Sequence, residues 1–281
     1  MSQSAAIVVA VLISAVLHAS WNAIAHAAQD RLAEFTVFGI TATLCGGVIV
    51  AFSAAPAPAS WPYLATSAAL HTFYNLLLML SYRLGHFGQT YPLARGTSPL
   101  LVTAGAVLFA GEIPPPLRLA GITCICAGLA TLMWSAGRGA RHDLPAIGAA
   151  VATGVMIASY TMVDGLGVRH SGTAAGYTGW LFVCQGPALP LMAVAIRGRR
   201  LPGRLRPYLW EGILGGTLSM LAYGLVLWAQ VYGQLAPISA LRETSIVFGA
   251  LIAAIRFREP FGPRRIVAAV CVAAGAVLIT V

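Results

Sequence analysis

The sequence predicts an all-α integral membrane protein in which ten transmembrane helices form two inverted five-helix repeats around a central cavity. Three observations carry that expectation: a strongly apolar composition, apolar runs that recur at membrane-spanning length, and an internal echo between the two halves. Of 281 residues, 58% are hydrophobic and 9% charged, and mean hydropathy is +0.81. Soluble domains carry about 25% charged residues, so most of this surface faces something other than water. A transmembrane barrel would alternate apolar and polar residues in short segments. Here the apolar runs are continuous.

A hydrocarbon core about 30 Å thick needs about 20 apolar residues per helix. Runs of that length fall at about 5–27, 34–54, 62–82, 88–110, 116–136, 145–164, 173–196, 208–230, 234–256 and 264–281. The first lacks the basic start of a secretory signal, and its apolar stretch is too long for one. "AIAHAA" resembles a cleavage site, but the segment reads as a retained helix. The spans are separated by turn formers: "SAAPAPASWP" after the second, "GEIPPPL" after the fourth, "REPFGP" after the ninth. The longest connection is "RGRRLPGRLRP", from Arg197 to Pro207. No loop holds a soluble domain, so the activity lies within the membrane.

The second half echoes the first. Setting Arg95 on Arg242 also sets Thr97 on Thr244, Ser98 on Ser245, Glu112 on Glu259, Arg118 on Arg265, Cys124 on Cys271 and Gly128 on Gly275. "HFGQTYP" sits on "VYGQLAP" after a short gap, and "HASWN" sits more loosely on "IASYT". Residues 1–137 and 138–281 then form two repeats of five spans. An odd number of spans inverts the second repeat relative to the first, and inverted repeats are the architecture of secondary transporters, with the site between the halves near the midplane.

The net charge of +9 comes from arginine alone, since the chain has no lysine. That removes a retinal-type Schiff base and the phosphate-gripping lysine of an ATP-driven motor. The arginines sit in short loops, which suits topology signals and not a nucleic-acid footprint. Thirteen lie in odd-numbered loops, whereas Arg118 and Arg169 alone lie in even-numbered ones. The positive-inside rule places the odd loops in the cytoplasm and both termini outside a bacterial inner membrane. Cys45, Cys124, Cys126, Cys184 and Cys271 all fall in apolar runs without metal-ligand or CxxC spacing, and read as small packing residues. No cofactor or metal is expected; the expected partners are a small-molecule substrate and the lipid bilayer, with no nucleic acid, in a monomer or weak homodimer.

"YPLARGTSPLLV…AGE", its partner "APISALRETSIVFGALIAAIRFREP" and the opening "LHASWNA" resemble the drug/metabolite transporter superfamily, in its EamA-like branch. The resemblance covers essentially the whole chain. It implies ten helices in two EamA-like inverted repeats, a cavity formed mainly by helices 1, 3, 4, 6, 8 and 9, and movement of small metabolites, usually outward. It also implies cytoplasmic termini, against the arginine bias, which is followed here.

Arg95 and Arg242 lie at matched depth in spans four and nine, where an unpaired guanidinium costs several kcal/mol unless it faces protein or water. Either can grip an anionic substrate group through its planar fork, or pair with a nearby acid and lock the fold. Glu243 diverges from Arg242 by about 100° around the helix and has no acidic counterpart at Gly96. It reads as an ammonium ligand, as a coupling-proton carrier, or as a partner for a buried arginine. Span one carries Ser14, His18, Asn22 and His26 on one face, with Trp21 alongside. Polar faces recur at His71, Tyr74 and Asn75, at Tyr160, Thr161 and Asp164, and at Ser219 and Tyr223. With Tyr91 and Ser98 these make the predicted cavity lining. For any single residue an interhelical hydrogen bond worth about 1 kcal/mol is the competing explanation. Glu243, His18 and Asp164 are the candidates for a coupling proton.

The function these patterns support is a secondary transporter that exports a small polar or amphoteric metabolite, such as an amino acid, by alternating access. A membrane-embedded lipid-modifying enzyme would need converging nucleophile, base or metal ligands. Adjacent His142 and Asp143 do not supply them, and HExxH and GxSxG are absent. A channel would need a repeated filter sequence, and none is present.

Overall fold

The computed structural model describes residues 2–84, 87–135, 144–256 and 262–280, and every regular element among them is helical. The α-helices are α1 (Gln3–Ala27), α2 (Arg31–Phe52), α3 (Trp61–Leu84), α4 (Phe87–Phe109), α5 (Pro116–Ser135), α6 (Leu144–Arg169), α7 (Ala174–Gln185), α8 (Ala188–Arg197), α9 (Leu201–Leu205), α10 (Leu209–Tyr232), α11 (Leu235–Arg242), α12 (Ser245–Arg256) and α13 (Pro263–Thr280). The side chains of His26, Tyr91 and Arg265 lie outside the described residues, as do His142, Asp143, Glu259 and the expected repeat boundary at 137/138.

Side chains start several of these helices. Ser2, Asp30 and Thr173 accept hydrogen bonds from the amides of Ala5, Ala33 and Gly176, each satisfying one of the donors that a helix start leaves free. Pro116 and Pro263 open α5 and α13, where a missing N–H costs nothing.

Two predicted spans are broken. Span seven is α7 and α8, separated at Gly186 and Pro187, because Pro187 brings no N–H to continue the ladder. Span nine is α11 and α12. Here Glu243 and Thr244 donate to the carbonyls of Ala240 and Leu241, three residues back, and the Thr244 hydroxyl also takes the Leu241 carbonyl at 2.7 Å. The backbone tightens into a 3₁₀ turn. No proline or glycine marks that break. α9 is a short helix within the arginine-rich loop.

Among the described residues, five stretches are long and apolar enough to cross a membrane by length and composition: Gln3–Ala25, Arg31–Phe52, Pro58–Ser81, Leu144–Arg169 and the run Ala174–Tyr232. Pro116–Thr131 and Ile266–Thr280 are shorter apolar helices. Leu44, Val48 and Phe52 on α2 and Leu108 and Phe109 on α4 point outward and exposed, as lipid-facing residues do. Trp210 is likewise exposed, whereas the hydroxyl of Tyr208 accepts a hydrogen bond from the Asp30 amide at 3.0 Å.

Helix pairings come in matched sets. α1 packs on α10 as α3 packs on α6; α1 packs on α11 and α12 as α6 packs on α4; α2 packs on α7, and α5 on α13. The α5–α13 contact is the most intimate. Gly121 meets Gly275, Gly128 meets Ala268, and the Cys124 thiol donates to the Cys271 carbonyl at 3.3 Å. The small-residue faces at Cys124–Gly128 and Cys271–Gly275 thus let two backbones touch, as expected of such stripes in lipid.

The three described ion pairs each join residues 1–137 to residues 138–281. Asp30 holds Arg197, Glu112 holds Arg169 at 2.6 Å, and Arg95 meets Glu243 at 3.1 Å. Arg169 also donates to the carbonyls of Gln230 and Gly233, the Leu235 amide donates to Glu112, and Arg118 donates to Gln234. Both even-loop arginines are therefore struts between helices.

A Cβ at position 275 would sit 2.6 Å from the Gly121 carbonyl oxygen. Gly275→Val should therefore force α5 from α13 and lower stability by about 1–3 kcal/mol, the usual cost of overpacking, read as a drop in thermal midpoint of the purified protein in detergent.

Candidate functional site

α1, α2, α3, α6, α10 and α11, with the α7–α8 elbow, converge on a cavity of about 100 Å³. His71, Tyr74, Tyr160 and Tyr223 form an aromatic wall. His71 stacks on Tyr160 with ring centres 4.0 Å apart, and Tyr223 stands edge-on to both. Phe35, Phe38 and Trp21 face it from α2 and α1. Such a wall is apolar to the touch, yet its ring faces attract cations.

Arg242 supplies the cavity's positive charge. It is the last residue of α11, it is 6% exposed, and its guanidinium lies over the Tyr223 ring, 5.3 Å from the centroid. Among the described residues it has no carboxylate partner and makes no side-chain hydrogen bond. Its repeat mate differs. Arg95, 3% exposed on α4, reaches across to Glu243. One buried arginine is therefore neutralised within the protein, and the other faces an open volume.

His18 adds a donor. Its Nδ1 accepts the Trp21 indole N–H at 3.2 Å. An indole nitrogen only donates, so Nδ1 carries no proton and the neutral ring is protonated at Nε2. That Nε2 is buried, has no partner, and belongs to a residue bordering the cavity. The Arg242 guanidinium and the His18 ring thus belong to residues that border one space.

The predicted lining divides. His18, Trp21, His71, Tyr74, Asn75, Tyr160, Tyr223 and Arg242 border the cavity, with Ser219. Asn22, Arg95, Ser98, Thr161, Asp164 and Glu243 are buried and do not border it. The Asn22 amide is taken by the His18 carbonyl at 2.8 Å. Asp164 accepts the hydroxyls of Tyr177 at 2.9 Å and Tyr223 at 2.5 Å, so it braces the aromatic wall from behind. The hydroxyls of Ser98, Thr161 and Ser245 are buried without partners, as is Oε2 of Glu243.

Sequence reasoning missed the α2 wall, with Phe35, Phe38, Gly39 and Ala42, and the elbow residues Phe182, Gln185, Gly186, Ala188 and Leu189. The available signal was the Gly186–Pro187 break, since interrupted helices flank transporter sites. Span four, by contrast, contributes no described residue to the lining. Among the described residues no group of three or more His, Cys, Asp or Glu side chains is placed to hold a metal ion.

Removing one member of a buried ion pair leaves the other uncompensated and costs about 3–5 kcal/mol, whereas an apolar pair of similar volume is close to neutral. Arg95→Met and Glu243→Leu should each lower the thermal midpoint sharply, and the double variant should recover most of the loss. Equal and additive losses would mean that the two side chains do not act as a pair.

Residues 144–281 match the sequence model of the EamA-like transporter family. No curated protein matches the chain. A solved structure titled only "Crystal structure of protein" superposes with a TM-score of 0.77 over 100% of this chain and 99% of its own, at 18% identity. That degree of identity speaks to the fold. Residues 144–281 are therefore EamA-like, of the drug/metabolite transporter superfamily, and the chain as a whole shares its fold with that solved structure.

Proposed function

We propose that the chain is a secondary transporter that exports a small polar or amphoteric metabolite by alternating access, with Arg242 as the ligand for the substrate's anionic group. The observation that carries this reading is the unpaired Arg242 guanidinium on the cavity wall. A buried charge without a counter-ion costs several kcal/mol. A fold that keeps one facing an open volume is suited to an anion that arrives and leaves. His18 Nε2 offers a second donor, and the aromatic wall suits the apolar or ammonium end of an amino-acid-like molecule.

Ten spans in two inverted repeats, 1–137 and 138–281, fit the matched helix pairings. Exchanging the halves turns the α1–α10 contact into the α6–α3 contact and maps α5–α13 onto itself. In this reading the halves rock about the midplane. The Glu112–Arg169 network ties them at the even-loop end and the Asp30–Arg197 pair at the odd-loop end. Each is then a tie that one phase of the cycle must release.

Arginine bias supports cytoplasmic odd loops in a bacterial inner membrane, and the structural employment of Arg118 and Arg169 strengthens it. Neither exception needs to be counted as a topology signal. A reporter active only in the cytoplasm, fused after Val281, should be silent; strong activity would reverse the orientation.

The direct test is Arg242→Gln in proteoliposomes, using counterflow of substrates found by thermal-shift screening. Loss of one charge-assisted hydrogen bond is worth about 1.5–3 kcal/mol. Transport should fall by about tenfold or more with the fold intact, while Arg242→Lys should recover part of it. Undiminished flux in Arg242→Gln would remove the arginine from the transport site.

A further inference from the structure

A second hollow, of about 470 Å³, opens at the odd-loop end of the molecule. Arginines reach its wall from four separate segments: Arg31 at the start of α2, Arg83 at the end of α3, Arg197 at the end of α8 and Arg204 in α9. The acid in the wall is Asp30, held by Arg197 through two bonds of 2.7 Å. The Arg197 guanidinium keeps the Asp30 carboxyl below the usual carboxylate range, so the pair stays ionised and mutually neutralised at neutral pH.

Arg31, Arg83 and Arg204 are in a different position. None has a carboxylate within ion-pair distance among the described residues, and Nε of Arg31 is buried without a partner. The buried Glu34, one turn along α2, stands in the field of Arg31. Setting Asp30, Glu34 and Glu211, which stands in the field of Glu34, against the four arginines still leaves a positive charge in excess. The start of α2 also turns its backbone amides toward this end, which adds positive potential. A topology signal needs only to sit in a loop. It does not need to converge from four segments on one concave surface.

We propose that this hollow is an anion-binding vestibule that takes a phosphate-type oxyanion, borne either by a soluble solute or by a phospholipid headgroup. Arginine forks match the tetrahedral oxygens of phosphate and hold them through paired N–H donors. The volume exceeds that of a bare ion and accommodates a group attached to it. Placement gives the site a use. His71 and Asn75 line the central cavity, and Met79 and Arg83 continue the same face of α3 into the hollow. An anion captured here rests within two helical turns of the transport cavity. The assignment stands on the vestibule's own charges, whatever the central cavity carries.

The test uses the purified full-length protein with inorganic phosphate, by calorimetry in neutral detergent at low salt. It also uses nanodiscs of phosphatidylglycerol or phosphatidylcholine, by native mass spectrometry. Phosphate should bind, and more weakly as chloride is added, because the site is open to solvent. Arg83→Gln, an exposed position at a helix end, should lower affinity by about tenfold, and Arg31→Gln with Arg83→Gln by more. Arg197 is kept because it holds Asp30. Phosphate binding without retained lipid identifies a soluble anion. Phosphatidylglycerol retained by the native chain and lost from the double variant identifies a headgroup, and either outcome supports the site. The proposal is overturned if neither probe binds, or if binding survives Arg83→Gln unchanged. It is also overturned if binding is lost in Arg242→Gln alone, a result that would move the anion to the central cavity and leave the transport reading standing.

Discussion

The structure depends on how a fatty interior disposes of two arginines. Arg95 and Arg242 occupy matched places in the sequence echo, but among the described residues a single carboxylate, Glu243, lies within ion-pair distance of either. Arg95 takes it from across the interface between the halves. The bond is therefore both a charge solution and a clamp, since it forms only where α4 meets the broken ninth span. Arg242 is left facing space. The sequence echo between the two segments is thus broken at its centre by a single acidic residue where the counterpart is Gly96.

The break in span nine follows from the same place. A helix that continued regularly past Arg242 would turn Glu243 about 100° away from it. The 3₁₀ turn at Glu243 and Thr244 ends α11 with Arg242 on the cavity wall and Glu243 against Arg95. Local backbone geometry, long-range pairing and the exposed charge of the site are three aspects of one junction.

Electrostatics organises the rest of the molecule at longer range. Ion pairs between the halves lie at one end, at the centre and at the other end. Ties of this kind hold two bodies together without welding them, because each is one or two side chains whose polar groups can be taken up by water when they part. The packed glycine faces of α5 and α13 are the contrasting case, a contact of backbone on backbone that tolerates little movement.

Composition and run length were enough to read the helical membrane class and most of the aromatic residues that border the cavity, because hydropathy and periodicity are local properties of the chain. His18, Trp21, His71, Tyr74, Asn75, Tyr160 and Tyr223 were legible because a polar or amphipathic residue in a membrane helix has few places to face. The assignment of partners was not legible. Nothing local says that Glu243 belongs to Arg95 and not to its neighbour, that Asp164 is spent on two tyrosines, or that Phe35 and Phe38 wall the cavity. Nor does the sequence say that arginines from three loops gather at one hollow. Those outcomes are fixed by distances between segments far apart in the chain, and pairing of a buried charge is decided by which counter-charge lies within a few ångströms after packing. The sequence determined that charges had to be accommodated in the membrane; the tertiary structure decided which of them remained available to a ligand.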